Sequence, residues 1–198
     1  MANDVVNEGY ETAADADTAN RNQFSFLEYV AGFANLIERG KTILDVGCGD
    51  GIPVDEYLVN QGFALNGIDI SERKIELARN NIPDGFYEVK DMLALREGEY
   101  CVDGVISLRA MLHVPHKSYH ALLRKFASFM SNGGAVLLVL RPDEWGGAEE
   151  VFRSNAESGS QDGAENNTES LEGAGFTIIV NEIDGPADEK HQIVLARS

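Results

Sequence analysis

Ile43-Leu44-Asp45-Val46-Gly47-Cys48-Gly49-Asp50-Gly51 is an apolar run that ends in an acid and breaks at once into three alternate glycines. Such a break is how an open α/β sheet makes room for a nucleotide-like ligand beyond the end of a strand. Glycine admits positive φ and lets a ligand approach where a Cβ would collide, so the stretch reads as a strand followed by a cofactor cradle. Its G-x-G-x-G spacing departs from the G-x-G-x-x-G of dinucleotide sites, because Gly51 comes one residue early. Pro53 falls near a helix start, where its missing N–H is harmless. Asp55 and Glu56 in that first turn suit the helix dipole but repel a pyrophosphate. Acidic surroundings instead favour a ligand without phosphate that carries a sulfonium and an ammonium, and S-adenosylmethionine is such a ligand.

A second feature falls where the first requires it. After a helix over Pro53 to Asn60 and a stop at Gly62, the run Phe63-Ala64-Leu65-Asn66-Gly67-Ile68-Asp69-Ile70 again reads as a strand ending in an acid. A carboxylate about 20 residues beyond the glycine turn is placed to accept ribose hydroxyl protons, which makes Asp69 the expected ribose ligand. Ser71 then reads as the N-cap of a helix beginning Glu72-Arg73-Lys74-Ile75.

With these motifs the chain resembles the class I S-adenosylmethionine-dependent methyltransferases. ILDVGCGDG is similar to that family's first motif, GIDIS to its acidic second-strand end, and VKDMLAL to the segment where an Asp meets the adenine amino group. CVDGVISLRAMLHVP resembles the fourth strand and its loop, and LLRKFASFMSNGGAVLLVL the helix, turn and fifth strand that follow. The likeness covers roughly residues 24 to 142 and, more weakly, 165 to 197. It implies a three-layer α/β sandwich whose sheet is mostly parallel and seven-stranded, with an antiparallel last strand and helices on both faces. It also implies S-adenosylmethionine as cofactor, with S-adenosylhomocysteine as product. The implied cofactor residues are Asp45, Gly47, Cys48, Gly49, Gly51, Asp69, Ile70, Asp91, Met92 and Leu108, with Tyr10 folding over the methionine end.

Length and charge agree. A chain of 198 residues suits one well-buried α/β domain rather than two. We expect an N-terminal segment over 1–23 that acts as a lid or a tail, and a single domain over 24–198 with a polar loop at about 143–164. A net charge of −17 opposes binding to nucleic-acid phosphates, and Arg109, Lys117, Arg124 and Lys125 read as a scattered solvated set rather than a basic patch. No run of about 18 apolar residues predicts a membrane span, and the first residues lack the pattern of a signal peptide. Cys48 and Cys101 do not make a disulfide framework. These features point to a cytoplasmic monomer or homodimer with no nucleic-acid or membrane partner.

Periodicity predicts a helix around Phe24 to Arg39, with apolar residues at Phe26, Leu27, Val30, Phe33, Leu36 and Ile37. Strands are expected at Thr42 to Val46, Ala64 to Ile68, Gly85 to Val89, Gly104 to Ser107 and Ala135 to Leu140, with Asn132-Gly133-Gly134 as a helix-ending turn before the last. Phe176 to Ile183 and His191 to Ala196 lie too close together for anything but an antiparallel hairpin.

Methyl transfer from a sulfonium is an in-line displacement on an activated donor, so the protein mainly aligns the acceptor and excludes water. A base is needed only when the acceptor is protonated. In the loop after the fourth strand His113 is the first candidate for that base and His116 the second. Arg109 is a candidate for orienting an anionic acceptor, and Trp145 for walling the acceptor pocket. His120 reads as a solvated helix residue, and the histidine spacing gives no metal signature. The leading expectation is a methyltransferase acting on a small molecule. The alternatives are a non-catalytic S-adenosylmethionine-binding protein and a nicotinamide-dependent oxidoreductase.

Overall fold

The computed structural model describes residues 26–142, 162–185 and 190–198. Along the chain run α1 (Leu27–Ala34), β1 (Thr42–Val46), α2 (Val54–Asn60), β2 (Ala64–Asp69), α3 (Glu72–Asn81), β3 (Phe86–Val89), β4 (Val102–Ser107), α4 (Tyr119–Phe129), β5 (Met130–Leu140), α5 (Asp162–Gly173), β6 (Thr177–Asp184) and β7 (His191–Arg197). The seven strands form one sheet in the order β3-β2-β1-β4-β5-β7-β6. Neighbours from β3 to β5 pair in parallel. β7 runs antiparallel to both β5 and β6, as the short hairpin connection demands.

The central strands are buried on both faces, and alternate residues feed two separate cores. Leu44, Val46, Val105, Val136 and Leu138 point into a core closed by Leu122, Leu123 and Phe126 of α4 and Leu171 of α5. Ile43, Ile106, Leu137 and Val139 point the other way, onto Val30 and Phe33 of α1, Leu58 of α2 and Ile75 of α3. That division is the three-layer sandwich. Gly104 lets α1 approach the sheet, since an added Cβ there would meet the Phe33 ring at 2.7 Å.

Three expectations need correcting. The first helix spans Leu27–Ala34 rather than reaching Arg39, because Leu36 and Ile37 continue it with tighter bonds to Phe33 and Ala34. Asn132-Gly133-Gly134 lies inside β5 rather than before it: the chain is already extended at Met130, which pairs with Val102, and the register shifts before Gly104 meets Ala135. Gly133 takes φ +86° in that irregularity and its N–H reaches the Ser198 carbonyl. The polar loop also ends sooner than 164, since α5 begins at Asp162.

Chain order turns back at β1, which has β2 on one side and β4 on the other. The crevice outside the carboxyl ends of β1 and β4 is therefore the switch point of the sheet, where open α/β folds bind ligands.

Candidate active site

At that switch point β1 opens into the glycine loop. Gly47, Gly49 and Gly51 all adopt positive φ (83°, 59° and 79°), so the backbone turns where side chains rarely follow. Gly47 has no room for a side chain in any case, because a Cβ there would collide with Ala110 of the β4 loop. The Gly47 and Cys48 N–H groups donate to the Ile68 carbonyl at 2.7 and 3.0 Å, which ties the loop to the end of β2. Ser107, wholly buried at the end of β4, donates its hydroxyl to the Val46 carbonyl at 2.7 Å. Three strand ends are thus held together around one crevice.

Asp69 stands at the expected place and is already engaged: one oxygen accepts the Gly49 N–H and the other the Ser71 N–H, both at 2.9 Å. These two bonds fix the orientation of the carboxylate. Ile70 is half-buried beside it. Ser71 caps α3, accepting the Lys74 N–H at 3.2 Å, as its position predicts. Asp91 caps a short 3-10 turn over Met92–Ala94 through the Leu93 N–H at 2.8 Å. Leu93 in turn receives Lys125 Nζ on its carbonyl at 2.9 Å, so Lys125 is less solvated than the sequence suggests. Leu108, half-buried just past β4, packs on the core beneath α1.

The acceptor-side candidates lie on the loop after β4. Arg109 is exposed, with its guanidinium 6.0 Å from the centre of the Phe26 ring, and Phe26 meets His191 edge to face at 6.3 Å. His113 is exposed at the end of a 3-10 turn over Ala110–His113. The His116 ring lies 4.7 Å from Tyr119 with its Nε2 buried. Tyr119 donates to the Met111 carbonyl at 2.8 Å and so braces the same loop from beneath. Tyr10 and Trp145 fall outside the described residues. Among the described residues no cluster of His, Cys, Asp or Glu has the makings of a metal site.

Sequence reasoning missed several residues that shape the crevice. Asp55, expected to suit the helix dipole, is wholly buried on the face of α2 that also carries Leu58. Its carboxyl meets that of Asp45, and burial followed by the Asp45 charge raises its pKa well above the usual carboxyl range. Burial, with the charge of Asp69 adding to it, pushes Asp45 up to about 7. The Cys48 thiol is pushed up as well, by burial first and then by Asp55. Asp50 and Lys74 form an ion pair at 3.7 Å with each side chain only 3% exposed, joining the glycine loop to α3. Asn81 adds a bond from its amide to the Asp50 carbonyl at 2.9 Å. The burial of Asp55 has one visible signal, its i, i+3 relation to Leu58.

Across the sheet, Asn167 donates to the Arg141 carbonyl at 2.8 Å and to the Gln192 side chain at 2.7 Å. Gln192 donates to the Ala164 carbonyl at 3.2 Å and to Asn181 at 2.8 Å. Two buried amides thus bind the end of β5 to the start of α5.

Residues 43–134 match the model of a methyltransferase domain family. Over 117 residues the chain is 38% identical to a ubiquinone biosynthesis O-methyltransferase of Neisseria meningitidis serogroup C; the alignment covers 56% of this chain and 47% of that enzyme. The chain therefore spans about half the length of the curated relatives it matches. The magnesium protoporphyrin IX methyltransferase of Synechocystis, solved with bound S-adenosylhomocysteine, superposes with a TM-score of 0.72 at 18% identity, covering 99% of this chain and 100% of that one. A TehB-like S-adenosylmethionine-dependent methyltransferase from Corynebacterium glutamicum superposes at 0.69, with 18% identity and 98% of both chains covered. These likenesses establish the α/β fold of the methyltransferases. Among the described residues no helix is long and apolar enough to cross a membrane.

Proposed function

We propose that this chain transfers the methyl group of S-adenosylmethionine to a small-molecule acceptor. The observation that carries the reading is the joint geometry of the glycine loop and Asp69: three positive-φ glycines close the end of β1, and the acid that ends β2 is oriented by the Gly49 N–H. In this reading Asp69 accepts the ribose hydroxyls, with Ile70 beside it. Asp91 and Met92 meet the adenine, Gly47, Cys48, Gly49 and Gly51 line the methionine end under Asp45, and Leu108 and Tyr10 flank it. The fit of a phosphate-free cationic ligand is supported by the acidic residues Asp45, Asp50, Asp55 and Asp69 around the loop, which would repel a pyrophosphate.

When bound, the donor supplies an activated methyl group. The chain's own residues align the acceptor in line with the sulfur–methyl bond and exclude water. Where the acceptor is protonated, the proton it gives up would pass to a base on the loop after β4 or to solvent. His113 is the proposed base, Arg109 the group that orients an anionic acceptor, and His116 a second proton-handling group on the same loop. Trp145 completes the acceptor side.

The names of the relatives support a small-molecule acceptor, and the net charge of −17 supports a reaction away from nucleic acid. We take residues 24–198 as one catalytic domain with 1–23 as a closing segment, acting in the cytoplasm as a monomer or homodimer. The test is calorimetric titration with S-adenosylhomocysteine and, separately, with NAD. Stoichiometric binding of the first alone supports the reading, and tighter binding of NAD overturns it.

A further inference from the structure

Beside the glycine loop, Asp45 at the end of β1, Asp55 at the start of α2 and Tyr87 on β3 meet in a space that excludes water. Asp55 and Tyr87 are 0% and 3% exposed, and Asp45 retains only 4%. Gly51 lies against them: a Cβ added there would stand 3.3 Å from Asp55 Oδ2 and 3.4 Å from the Tyr87 hydroxyl. Among the described residues no N–H or O–H donor reaches either Asp55 oxygen with good hydrogen-bond geometry, and the Tyr87 hydroxyl faces that carboxyl without closing a well-formed bond. The Asp55 carboxyl meets both the carboxyl of Asp45 and the hydroxyl of Tyr87.

The charged and titratable groups around this pair are mostly acidic. Asp50 and the Cys48 thiol face it from the glycine loop and Asp69 from β2. The cations of α3 nearby have other partners, Lys74 with Asp50 at 3.7 Å and Arg79 with the Tyr87 carbonyl at 2.7 Å. Two carboxylates in contact, with no donor between them and little water, do not both stay ionised. A proton held between them supplies the missing donor and titrates as a property of the pair.

We propose that Asp45 and Asp55 share one proton in the cofactor-free protein and release it when the cationic methyl donor binds, so that the pair distinguishes the donor from its product. The inference rests on the cofactor reading above. The donor carries a sulfonium charge that S-adenosylhomocysteine lacks, and a second negative charge in a site of low dielectric attracts it. Binding of the donor thus expels a proton. Loss of the sulfonium charge on methyl transfer removes that attraction, and uptake of one proton, from a protonated acceptor or from solvent, restores the singly protonated pair with its single net negative charge. The direction of the Asp45 shift agrees with a proton retained near neutrality. Asp45, the less enclosed of the two, carries the linkage to the crevice, and Asp55 acts through it.

The experiment is titration calorimetry of the full chain with S-adenosylmethionine and with S-adenosylhomocysteine from about pH 6 to about pH 8, in buffers of contrasting ionisation enthalpy. One linked proton makes the donor bind about tenfold tighter at the upper end than at the lower, with release of about one proton at the lower end, while the product changes by less than about twofold. In Asp55→Asn, which keeps the side-chain volume, the donor's pH dependence falls to less than about twofold over the same range. Equal pH slopes for donor and product, or an unchanged slope in Asp55→Asn, overturn the proposal while leaving the cofactor reading intact. Should the variant not fold, the donor-to-product comparison in the native chain decides alone. Failure of both ligands to bind at every pH overturns the cofactor reading and the linkage together. The infrared carbonyl band of a protonated carboxyl, followed in the ligand-free chain, shows separately whether the proton is there.

Discussion

The two sides of the crevice are built differently. On the side of β1, β2 and α3, Asp69 is held by two N–H groups, Asp50 by Lys74 and the glycine loop itself by the Ile68 carbonyl. On the side of β4, Arg109 and His113 stand exposed on a loop of short 3-10 turns. A cofactor common to many reactions is served by rigid placement, whereas an acceptor is served by side chains whose replacement leaves the sheet intact. In the proposed reading, cofactor and acceptor sides therefore separate along the line between β1 and β4.

The contrast is sharpest in the buried ion pair. Lys74→Met leaves the Asp50 carboxylate buried without its cation, and the expected loss is about 3–5 kcal/mol of stability, read by denaturant unfolding. Adding Asp50→Asn recovers most of it. A loss of less than about 1 kcal/mol would place this pair with ordinary surface bridges and blur the distinction.

Asp69→Ala comes next. It strips two backbone N–H groups of a charged acceptor, and we expect S-adenosylhomocysteine affinity to fall by about 1.5–3 kcal/mol, read by calorimetry. Unchanged affinity would remove Asp69 from the cofactor side altogether.

The carboxyl pair gives a smaller effect with a definite sign. Asp45 has a folded pKa of about 7, above its unfolded value, so the folded state binds more protons between the ordinary carboxyl range and neutrality. Its contribution to stability is fully present below the unfolded pKa and is lost as pH rises through about 7. Asp55→Asn removes the repulsion, and the variant should gain about 1–2 kcal/mol over the native chain at about pH 8, with less gain at about pH 5. Thermal midpoints at the two pH values measure it, and a gain that is larger in acid reverses the assignment.

The smallest effects belong to the acceptor side. Arg109→Ala and His113→Ala should each change stability by less than about 0.5 kcal/mol and leave S-adenosylhomocysteine affinity within about twofold, while lowering turnover once an acceptor is found. A strong loss of cofactor affinity in either variant would move that residue across the dividing line.

The same division explains what the sequence makes legible. The first strand, the glycine turn, Asp69 and the Ser71 cap are local patterns with fixed offsets, and each lies where it is expected. The antiparallel hairpin follows from a connection too short for a crossover. The Asp50–Lys74 pair joins residues on successive elements with no periodicity to announce it, and Asp55 at a helix start has an adequate dipole explanation that hides its burial. The early start of β5 is hidden by Gly133, whose positive φ serves an irregular strand as well as a helix end. Arg109 and His113 are visible as residue types, but exposed groups leave no packing pattern by which their roles are fixed.

The amide pair Asn167 and Gln192 has one more consequence. Asn167 grips the Arg141 carbonyl and Gln192 the Ala164 carbonyl, and the two side chains bond to each other. Arg141 after β5 and Ala164 in α5 are therefore held by side chains of α5 and β7 respectively. The two amides work as a clasp across three elements, so β5, α5 and β7 hold or lose their register together.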